Sequence, residues 1–382
     1  MTRGAGIAGN QASLVTPSPT PLRTTSPTTS PDYYWKRAAS DPDCTLNHEE
    51  PKFSAATNPD FRRPARGRCY KMRVVQFIKN FLVRRGPENF LTRLALQIDG
   101  FRRGFRISFL NGTIVIARQD QRIILSKSQY VQVPWMMDVY DLYFDTIASE
   151  LNHGIFTLDF SQPAVHRYIK NEVDFWFPSI PEDDVMDAYT ADYKPRTGDV
   201  VWDVGAHAGA TAYFLSRMVG PAGKVYAFEP DSHNFEYLVK NIEHHQLSNV
   251  IPVKKALARS SGTAQFCMDG TMSAGLADYL TYSDQSCYQT VATVSFADAC
   301  SELGTVPQFV KLDIEGAELD VIDGAREFLR NNSVHFAIES EVSIDGEPMW
   351  RTLERMYPDI GYKAHSAEVS GQMFTWAAPT GP

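Results

Sequence analysis

The sequence has few cysteines, and they are widely spaced. Its 382 residues include five of them: Cys44, Cys69, Cys267, Cys287 and Cys300. The number is odd, and no pair has the close spacing of a zinc finger or of a redox motif. We therefore expect no disulfide framework, and the composition favours a reducing compartment such as the cytoplasm.

Long apolar runs and a secretory signal are also missing. No run approaches the roughly 20 residues that span a bilayer, and the N-terminus lacks the order of a cleavable signal. Residues 1–31 contain no acidic residue and are rich in Ser, Thr and Pro. Organelle-targeting peptides share the low acid content, but only Arg3 and Arg23 supply positive charge. We predict a disordered tail over residues 1–64, where proline recurs, with organelle targeting as the alternative.

Charge is unevenly distributed along the chain. Residues 61–106 hold thirteen Lys and Arg against two acids, Glu88 and Asp99, so this stretch carries +11. The net charge is -8, which leaves -19 for the remainder. Such a basic segment fits an anionic partner, or a solvated face that pairs with the protein's own acids.

Residues 71–85 combine this charge with apolar side chains at helical spacing. The apolar positions are Val74, Val75, Ile78, Phe81 and Leu82. The pattern predicts an amphipathic helix. It either packs on the folded core or lies peripherally on an anionic membrane.

The middle segment, residues 65–184, is expected to be a smaller α+β unit. Residues 105–125 alternate like strands, and Asn111-Gly112 is a strong hairpin signal. Residues 135–151 have the pattern of a single helix.

From residue 185 to 382, short apolar strands alternate with helices. The predicted strands are residues 200–204, 224–228, 250–253, 309–312 and 334–338. Helices are predicted at 210–218, after an N-cap at Asp231 or Ser232, and at 317–329. Residues 361–365 and 372–377 are expected to form a closing hairpin. The alternation predicts an α/β fold with a doubly wound, mostly parallel sheet and an antiparallel closing strand.

A glycine loop between the first of these strands and its helix is the most informative motif. It comprises Asp203, Gly205, Ala206, His207 and Gly209. Glu229 and Pro230 end the next strand, where an acid can accept hydrogen bonds from ribose hydroxyls. The glycines are four apart, unlike the order that seats a pyrophosphate. Asp203 would repel a pyrophosphate but suit a ligand with an ammonium and a sulfonium. The loop therefore predicts S-adenosyl-L-methionine rather than NAD.

These motifs resemble the FkbM family of methyltransferases. The resemblance extends over residues 160–345 and rests on residues 203–209, 224–230 and 310–318, with the lead-in 180–182. It implies a class I, Rossmann-like methyltransferase fold that mostly O-methylates sugars, polyketides or related metabolites. His207 stands where the family has Asn, and we expect it to bond backbone there rather than act as a base.

A second group of polar residues follows the fourth strand. We expect Asp313, with Glu315 and Lys311, to serve catalysis, because methyl transfer to oxygen requires removal of the hydroxyl proton. Asp313 and Glu339 end neighbouring strands and could share a Mg²⁺ ion. Alternatively, Glu315 and Glu318 only favour the first turn of the following helix.

Three classes of function remain at this point. The sequence favours an O-methyltransferase that acts on a small-molecule or glycan acceptor. A nucleic-acid methyltransferase is disfavoured, because no Pro-Pro dipeptide occurs and the fourth strand is followed by Asp313 to Gly316. We therefore expect no nucleic-acid partner. A non-catalytic binding module is disfavoured because Asp203, Gly205 and Glu229 are all retained.

Overall fold

The computed structural model describes most of the chain beyond its first 85 residues. The described ranges are residues 86–182, 186–267, 275–276, 288–344 and 346–381. The predicted tail 1–64 and the predicted helix 71–85 lie outside these ranges and stay predictions. Among the described residues, no helix combines the length and the apolar character needed to cross a membrane.

The N-terminal part of the described chain mixes short helices with strands, most of which pair antiparallel. Its elements are α1 (Phe90–Arg102), β1 (Arg106–Leu110), β2 (Thr113–Arg118), β3 (Gln121–Ser126), a 3₁₀ helix (Lys127–Gln132), α2 (Val133–Asp138), α3 (Tyr140–Thr146), β4 (Glu150–Asn152), β5 (Ile155–Phe160), β6 (Ala164–Tyr168) and β7 (Val173–Phe177). Five strands form a sheet in the order β1-β2-β3-β5-β4, and β6 pairs with β7.

The predicted hairpin at Asn111-Gly112 is confirmed. Leu110 pairs with Thr113 across the turn, so Asn111 and Gly112 between them form a two-residue loop. Asn111 has φ 47° and Gly112 has φ 80°. Two positive φ values in a two-residue loop are typical of the type I′ turn, whose twist matches that of the strands it joins.

The prediction of one helix over residues 135–151 is wrong. The chain forms α2 and α3, which are separated at Val139 by a non-helical φ of -100° and ψ of 11°. After α3, Ile147 turns extended and pairs with Tyr168. Pairing of Ile147 with Tyr168, at the end of β6, therefore overrides the helical pattern of the sequence after Thr146. The chain continues into β4.

The C-terminal part contains the alternating strands and helices. They are α4 (Met186–Tyr189), β8 (Val200–Val204), α5 (Ala210–Val219), β9 (Lys224–Phe228), α6 (Ser232–His244), β10 (Val250–Val253), β11 (Ala256–Leu257), β12 (Gly262–Cys267), β13 (Gly275–Leu276), β14 (Tyr288–Val294), α7 (Phe296–Leu303), β15 (Phe309–Leu312), α8 (Glu318–Arg330), β16 (His335–Glu339), β17 (Ser343–Ile344), β18 (Glu347–Pro348), α9 (Met349–Met356), a 3₁₀ helix (Pro358–Ile360), β19 (Tyr362–Val369) and β20 (Gln372–Pro379).

Seven of these strands form the central sheet. Its order is β10-β9-β8-β15-β16-β20-β19. The first five strands in this order are parallel, and β20 runs antiparallel to both of its neighbours. The predicted fold class, including the antiparallel closing strand, is confirmed. A smaller four-stranded sheet, β11-β14-β12-β13, precedes α7.

Helices cover both faces of the central sheet. Val201, Val225 and Phe309 pack with Leu215 of α5 and Leu238 of α6. Their neighbours along the strands point the other way, because side chains alternate between the faces of a sheet. Those neighbours include Trp202, Tyr226 and Val310, and they pack with residues of α7 and α8.

The strand order fixes where a ligand can bind. The order reverses between β8 and β15, and open α/β sheets bind ligands at such a switch point, beyond the carboxyl ends of the strands. The glycine loop follows β8 at this edge, Glu229 follows β9, and Asp313 follows β15. Glu339 is the last residue of β16. The fold therefore brings the sequence-predicted site residues to one edge of the sheet.

Candidate active site

The glycine loop is in close contact with the loop that follows β15. Gly205 has φ 79°, and a Cβ atom added there would lie 1.8 Å from the carbonyl oxygen of Asp313. Gly209 has φ 88°, and its added Cβ would lie 2.6 Å from Cδ1 of Leu238. Both positions therefore favour glycine for conformation, and Gly205 also requires it for space, because its neighbour is a backbone atom. Ala206 between them is fully buried.

Glu229 connects the glycine loop with the start of α6. The carboxylate is buried and accepts hydrogen bonds from the backbone N–H groups of His207 at 2.9 Å and Asp231 at 2.8 Å. Burial raises the pKa of Glu229 to about 8. After Pro230, Asp231 caps α6 by accepting from the backbone N–H groups of His233 and Asn234. The N-cap predicted at Asp231 is confirmed.

Lys311 is a buried cation beneath the two loops. Its ammonium donates to the carbonyl oxygen of Gly205 at 2.7 Å and lies 3.4 Å from one carboxylate oxygen each of Asp203 and Asp313. Burial alone would lower the pKa of Lys311, but the charges of Asp313 and Asp203 raise it. The side chain is only 3% exposed. These contacts support a role as the counter-ion of the site, while the predicted catalytic role stays a prediction.

Asp203 is completely buried at the end of β8. Neither of its carboxylate oxygens has a hydrogen-bond partner among the described residues, and the nearby Lys311 ammonium supplies charge without the geometry of a hydrogen bond. Burial raises the pKa of Asp203, although Lys311 opposes this. A buried polar group without partners is costly unless a ligand or water completes it. Asp203 is therefore suited to receive a donor.

Tyr189 of α4 joins Asp313 to Glu339. Its hydroxyl lies 3.2 Å from Oδ2 of Asp313 and 3.1 Å from Oε2 of Glu339, within hydrogen-bond distance of both. The ring lies edge-on to Phe374, and Nε1 of Trp376 donates to the carbonyl oxygen of Ala188 at 2.8 Å. Sequence reasoning missed Tyr189, because a helix of four residues has no readable period.

Glu182 is a second residue that sequence reasoning did not place in the site. It accepts hydrogen bonds from the backbone N–H groups of Ala210 and Thr211 and from the Thr211 hydroxyl, at 3.0 to 3.3 Å. Nδ1 of His207 lies 3.6 Å from it. Burial works against its ionisation, but the interactions with His207 and with Lys311 lower the pKa of Glu182 overall. It thus stabilises the N-terminus of α5, next to the glycine loop.

The two glutamates after Asp313 have different surroundings. Glu318 is buried and accepts from the backbone N–H groups of Ile314 at 2.7 Å and Gly316 at 2.9 Å. The alternative prediction, a structural glutamate at the start of α8, fits Glu318. Glu315 has a left-handed φ of 57° in the same loop. Its predicted catalytic role stays a prediction.

Among the described residues, no group of three or more His, Cys, Asp or Glu side chains is arranged to hold a metal ion. The predicted Mg²⁺ ligands, Asp313 and Glu339, instead share the hydroxyl of Tyr189. The arrangement of these two carboxylates is thus explained by a protein hydrogen bond.

Comparison with known proteins finds similarity to methyltransferases, as the motifs predict. The family described as methyltransferase FkbM domain matches residues 203–363. The hexuronic acid methyltransferase AglP of Haloferax volcanii is 33% identical over 158 residues, which make up 41% of this chain and 61% of that protein. The tRNA (adenine(58)-N(1))-methyltransferase catalytic subunit TRM61 of Yarrowia lipolytica is 33% identical over 89 residues, 22% of this chain and 23% of that protein.

Among solved structures, a methyltransferase FkbM from Methylobacillus flagellatus is similar with a TM-score of 0.36 and 16% identity. The similarity covers 49% of this chain and 45% of that one. The chain thus spans less than two thirds of the length of AglP and less than half of that structure. The matched region holds the glycine loop, Glu229, Asp313 and Glu339. Residues 203–363 therefore match the FkbM methyltransferase domain that the motifs predict.

Proposed function

We propose that this protein transfers a methyl group from S-adenosylmethionine to a hydroxyl oxygen of a sugar, a glycolipid or another small metabolite. The observation that carries the proposal is the position of two carboxylates, Asp313 and Glu339, which share the Tyr189 hydroxyl beside the glycine loop. AglP, whose name specifies a hexuronic acid, matches a larger share of both chains than TRM61 does. This difference supports a sugar acceptor over a nucleic acid.

The residues at the glycine loop fit the cofactor chemically. Both oxygens of Asp203 and both ring nitrogens of His207 are buried without hydrogen-bond partners among the described residues. These groups would receive the charged amino-acid end of S-adenosylmethionine. Glu229 would accept from ribose hydroxyls, since each carboxylate oxygen has a lone pair beyond the one that binds backbone N–H.

When bound, S-adenosylmethionine supplies a methyl group on a positively charged sulfur. Attack by a hydroxyl oxygen leaves a proton that a nearby base must take. The Asp313 side chain is 33% exposed, whereas that of Asp203 is completely buried. Asp313 is therefore the carboxylate that an acceptor hydroxyl can reach, and it would receive this proton. Lys311, 3.4 Å away, would stabilise its charged form before the transfer.

Direct carboxylate catalysis needs no metal ion. The single proton of the Tyr189 hydroxyl can be donated to either Asp313 or Glu339, and the described residues offer no cluster of three metal-binding side chains, so the proposed transfer uses no Mg²⁺. Turnover is expected to persist in EDTA. Loss of turnover in EDTA that Mg²⁺ restores would instead support the metal site predicted from the sequence.

The proposal is tested with the purified full chain and S-adenosylmethionine labelled in its methyl group. The acceptors are free hexuronic acids, neutral sugars, glycolipids and tRNA. Transfer to a hydroxyl produces a methyl ether, which withstands mild alkali, whereas transfer to a carboxylate produces an ester that alkali cleaves. Alkali-stable label on a sugar or glycolipid is the expected result. Alkali-labile label, or transfer to tRNA alone, would contradict the proposal.

A further inference from the structure

The outer face of α1 carries a stripe of large apolar side chains. The helix buries Thr92, Leu96 and Gly100, which recur every four residues and define its inner face. At 100° per residue, the large apolar residues lie on the opposite side of the helix. This outer stripe consists of Phe90, Leu91, Leu94, Ile98 and Phe101.

These side chains are exposed to solvent. Phe101 is 84% exposed and Phe90 is 72% exposed, and the other three are each more than one third exposed. From Phe90 to Phe101 the stripe extends about 16 Å along the helix. An amphipathic helix on a protein surface normally turns its apolar face toward the core. The reversed arrangement in α1 marks the outer stripe as a contact surface.

Positive charge accompanies the outer stripe. Arg102 and Arg106 are exposed, and neither forms an ion pair with an acidic side chain in the part of the chain that the structure describes. Arg103, by contrast, is paired with Asp99 and Asp138. Residues 61–106 carry +11, while the rest of the chain carries -19. Most of this charge, +9, precedes the stripe along the sequence at residues 61–85, and residues 86–106 add +2.

We propose that the outer stripe of α1 binds the surface of an anionic lipid bilayer. An amphipathic helix can lie in the plane of such a surface, with its apolar side chains among the acyl chains and its cations at the headgroups. Charge complementarity favours this partner. Two copies of the chain joined through their stripes would bring Arg102 of one copy toward that of the other, whereas anionic headgroups attract it.

Vesicle co-sedimentation of the full chain tests the proposal. The vesicles consist of phosphatidylcholine with or without phosphatidylserine. We expect sedimentation with the anionic vesicles at low salt, less with the neutral ones, and a decrease as salt rises. Phe101→Asp should lower the partition coefficient at least about tenfold, because it removes a large apolar contact and adds a negative charge.

The matched control is Leu151→Asp. Leu151 is 63% exposed on β4, which lies at the other end of the sheet from β1, the strand that follows α1. This variant makes the same kind of change away from the stripe and should bind as the parent does. Because both positions are exposed, both variants should fold, and their thermal unfolding would verify it. A second pair of changes, Arg102→Gln with Arg106→Gln, should weaken binding mainly at low salt.

Three results would overturn the proposal. The parent could stay in the supernatant with anionic vesicles at low salt, or Phe101→Asp could bind as well as Leu151→Asp. Sedimentation-equilibrium ultracentrifugation could also show a dimer that Phe101→Asp alone disrupts, which would assign the stripe to a second copy of the chain. Since no acceptor is involved, these results are independent of the proposed methyl transfer.

Discussion

At the scale of single residues, the carboxylates at the edge of the sheet differ in what surrounds them. Asp203 is buried beside the Lys311 ammonium, and Glu229 is occupied by two backbone N–H groups. Asp313 is partly exposed and contacts Tyr189 and Lys311. The residue type alone does not show which carboxylate an acceptor can reach. The surroundings of a carboxylate set both its accessibility and its proton affinity.

Replacing Asp313 tests the base. Asp313→Asn should lower turnover about a hundredfold or more, because an amide cannot take the acceptor proton. Calorimetry should find the affinity for S-adenosylmethionine little changed. Asp359→Asn is a suitable control, since the Asp359 side chain is 67% exposed. Full turnover in Asp313→Asn would leave Asp313 with a structural role only.

Tyr189 is expected to act by positioning Asp313 and Glu339. Tyr189→Phe removes one hydrogen-bonding hydroxyl and should lower kcat about tenfold, the worth of one hydrogen bond to a charged group. Cofactor affinity should not change. Tyr193→Phe makes the same chemical change where the hydroxyl donates to Asp199, before β8, and should leave kcat unaltered. Equal kcat values for the two variants would contradict the positioning role.

Glu229 should control cofactor affinity. Above about pH 8, where the carboxylate is charged, Glu229→Gln should weaken S-adenosylmethionine binding by about 1.5–3 kcal/mol, or about 10- to 150-fold, with exposed Glu236→Gln as the control. The parent should also respond to pH. Since the pKa of Glu229 is raised to about 8, the carboxylate is protonated below that pH, whereas ribose hydroxyls donate best to the charged form. Affinity should therefore rise with pH through about 8 in the parent, while the variant shows no such rise.

At the scale of elements, the glycine loop contacts the loop after β15, so Gly205 lies next to Asp313. Gly205→Ala would place a methyl group 1.8 Å from the carbonyl oxygen of Asp313. Gly304→Ala is the matched control, because Gly304 has a similar positive φ of 66° with no atom within 4 Å of an added Cβ.

The two variants should differ in stability. Both incur the cost of a left-handed residue, about 1 kcal/mol, but Gly205→Ala adds about 1–3 kcal/mol from overpacking. Thermal unfolding and cofactor titration should show a lower melting temperature and weaker binding for Gly205→Ala. If both variants unfold at the same temperature, the loops do not meet as described.

Elements with strong local patterns were predictable from the sequence. The strands 200–204, 224–228, 250–253 and 309–312 are found at the predicted bounds, because each is a short buried run between turns and helices. The fifth strand is displaced by one residue and ends at Glu339. The predicted site residues follow the ends of these strands. They lie together because the carboxyl ends of parallel strands meet at one edge of the sheet.

The missed features depend on contacts between distant parts of the chain. Tyr189 lies 124 residues from Asp313 and 150 from Glu339. Glu182 caps a helix that begins 28 residues later, so no local capping pattern reveals it. Periodicity reports neighbours within a few turns and carries no information about such partners.

At the scale of the whole molecule, the N-terminal part supports the methyltransferase domain directly. The Asn241 side chain bonds both backbone groups of Trp176 and the carbonyl oxygen of Ala208 in the glycine loop, all at 2.8 or 2.9 Å. The Tyr143 hydroxyl donates to the carbonyl oxygen of Pro181, next to Glu182, at 2.7 Å. The aromatic core of the N-terminal part therefore contributes to the geometry of the site.

This aromatic core contains His166, which should make stability depend on pH. His166 is 8% exposed, and its ring lies 5.1 Å from that of Phe160 and 6.3 Å from that of Phe177. Burial lowers the pKa of His166 from 6.5 to about 4, although the charge of Asp159 opposes the shift. The unfolded chain therefore binds a proton at a higher pH than the folded protein does. The stabilisation is complete above about pH 6.5 and is lost as the pH falls through about 4.

Replacing His166 with Phe removes this titration while keeping an aromatic ring in the core. Between pH 6.5 and 4, the free energy of unfolding of the parent should fall by about 3 kcal/mol more than that of His166→Phe, at about 1.4 kcal/mol for each pH unit. Urea denaturation at a series of pH values measures both. His233→Phe, at an exposed position in α6, should follow the parent. A difference between parent and His166→Phe that stays constant across this range would show that His166 does not bind its proton preferentially in the unfolded chain.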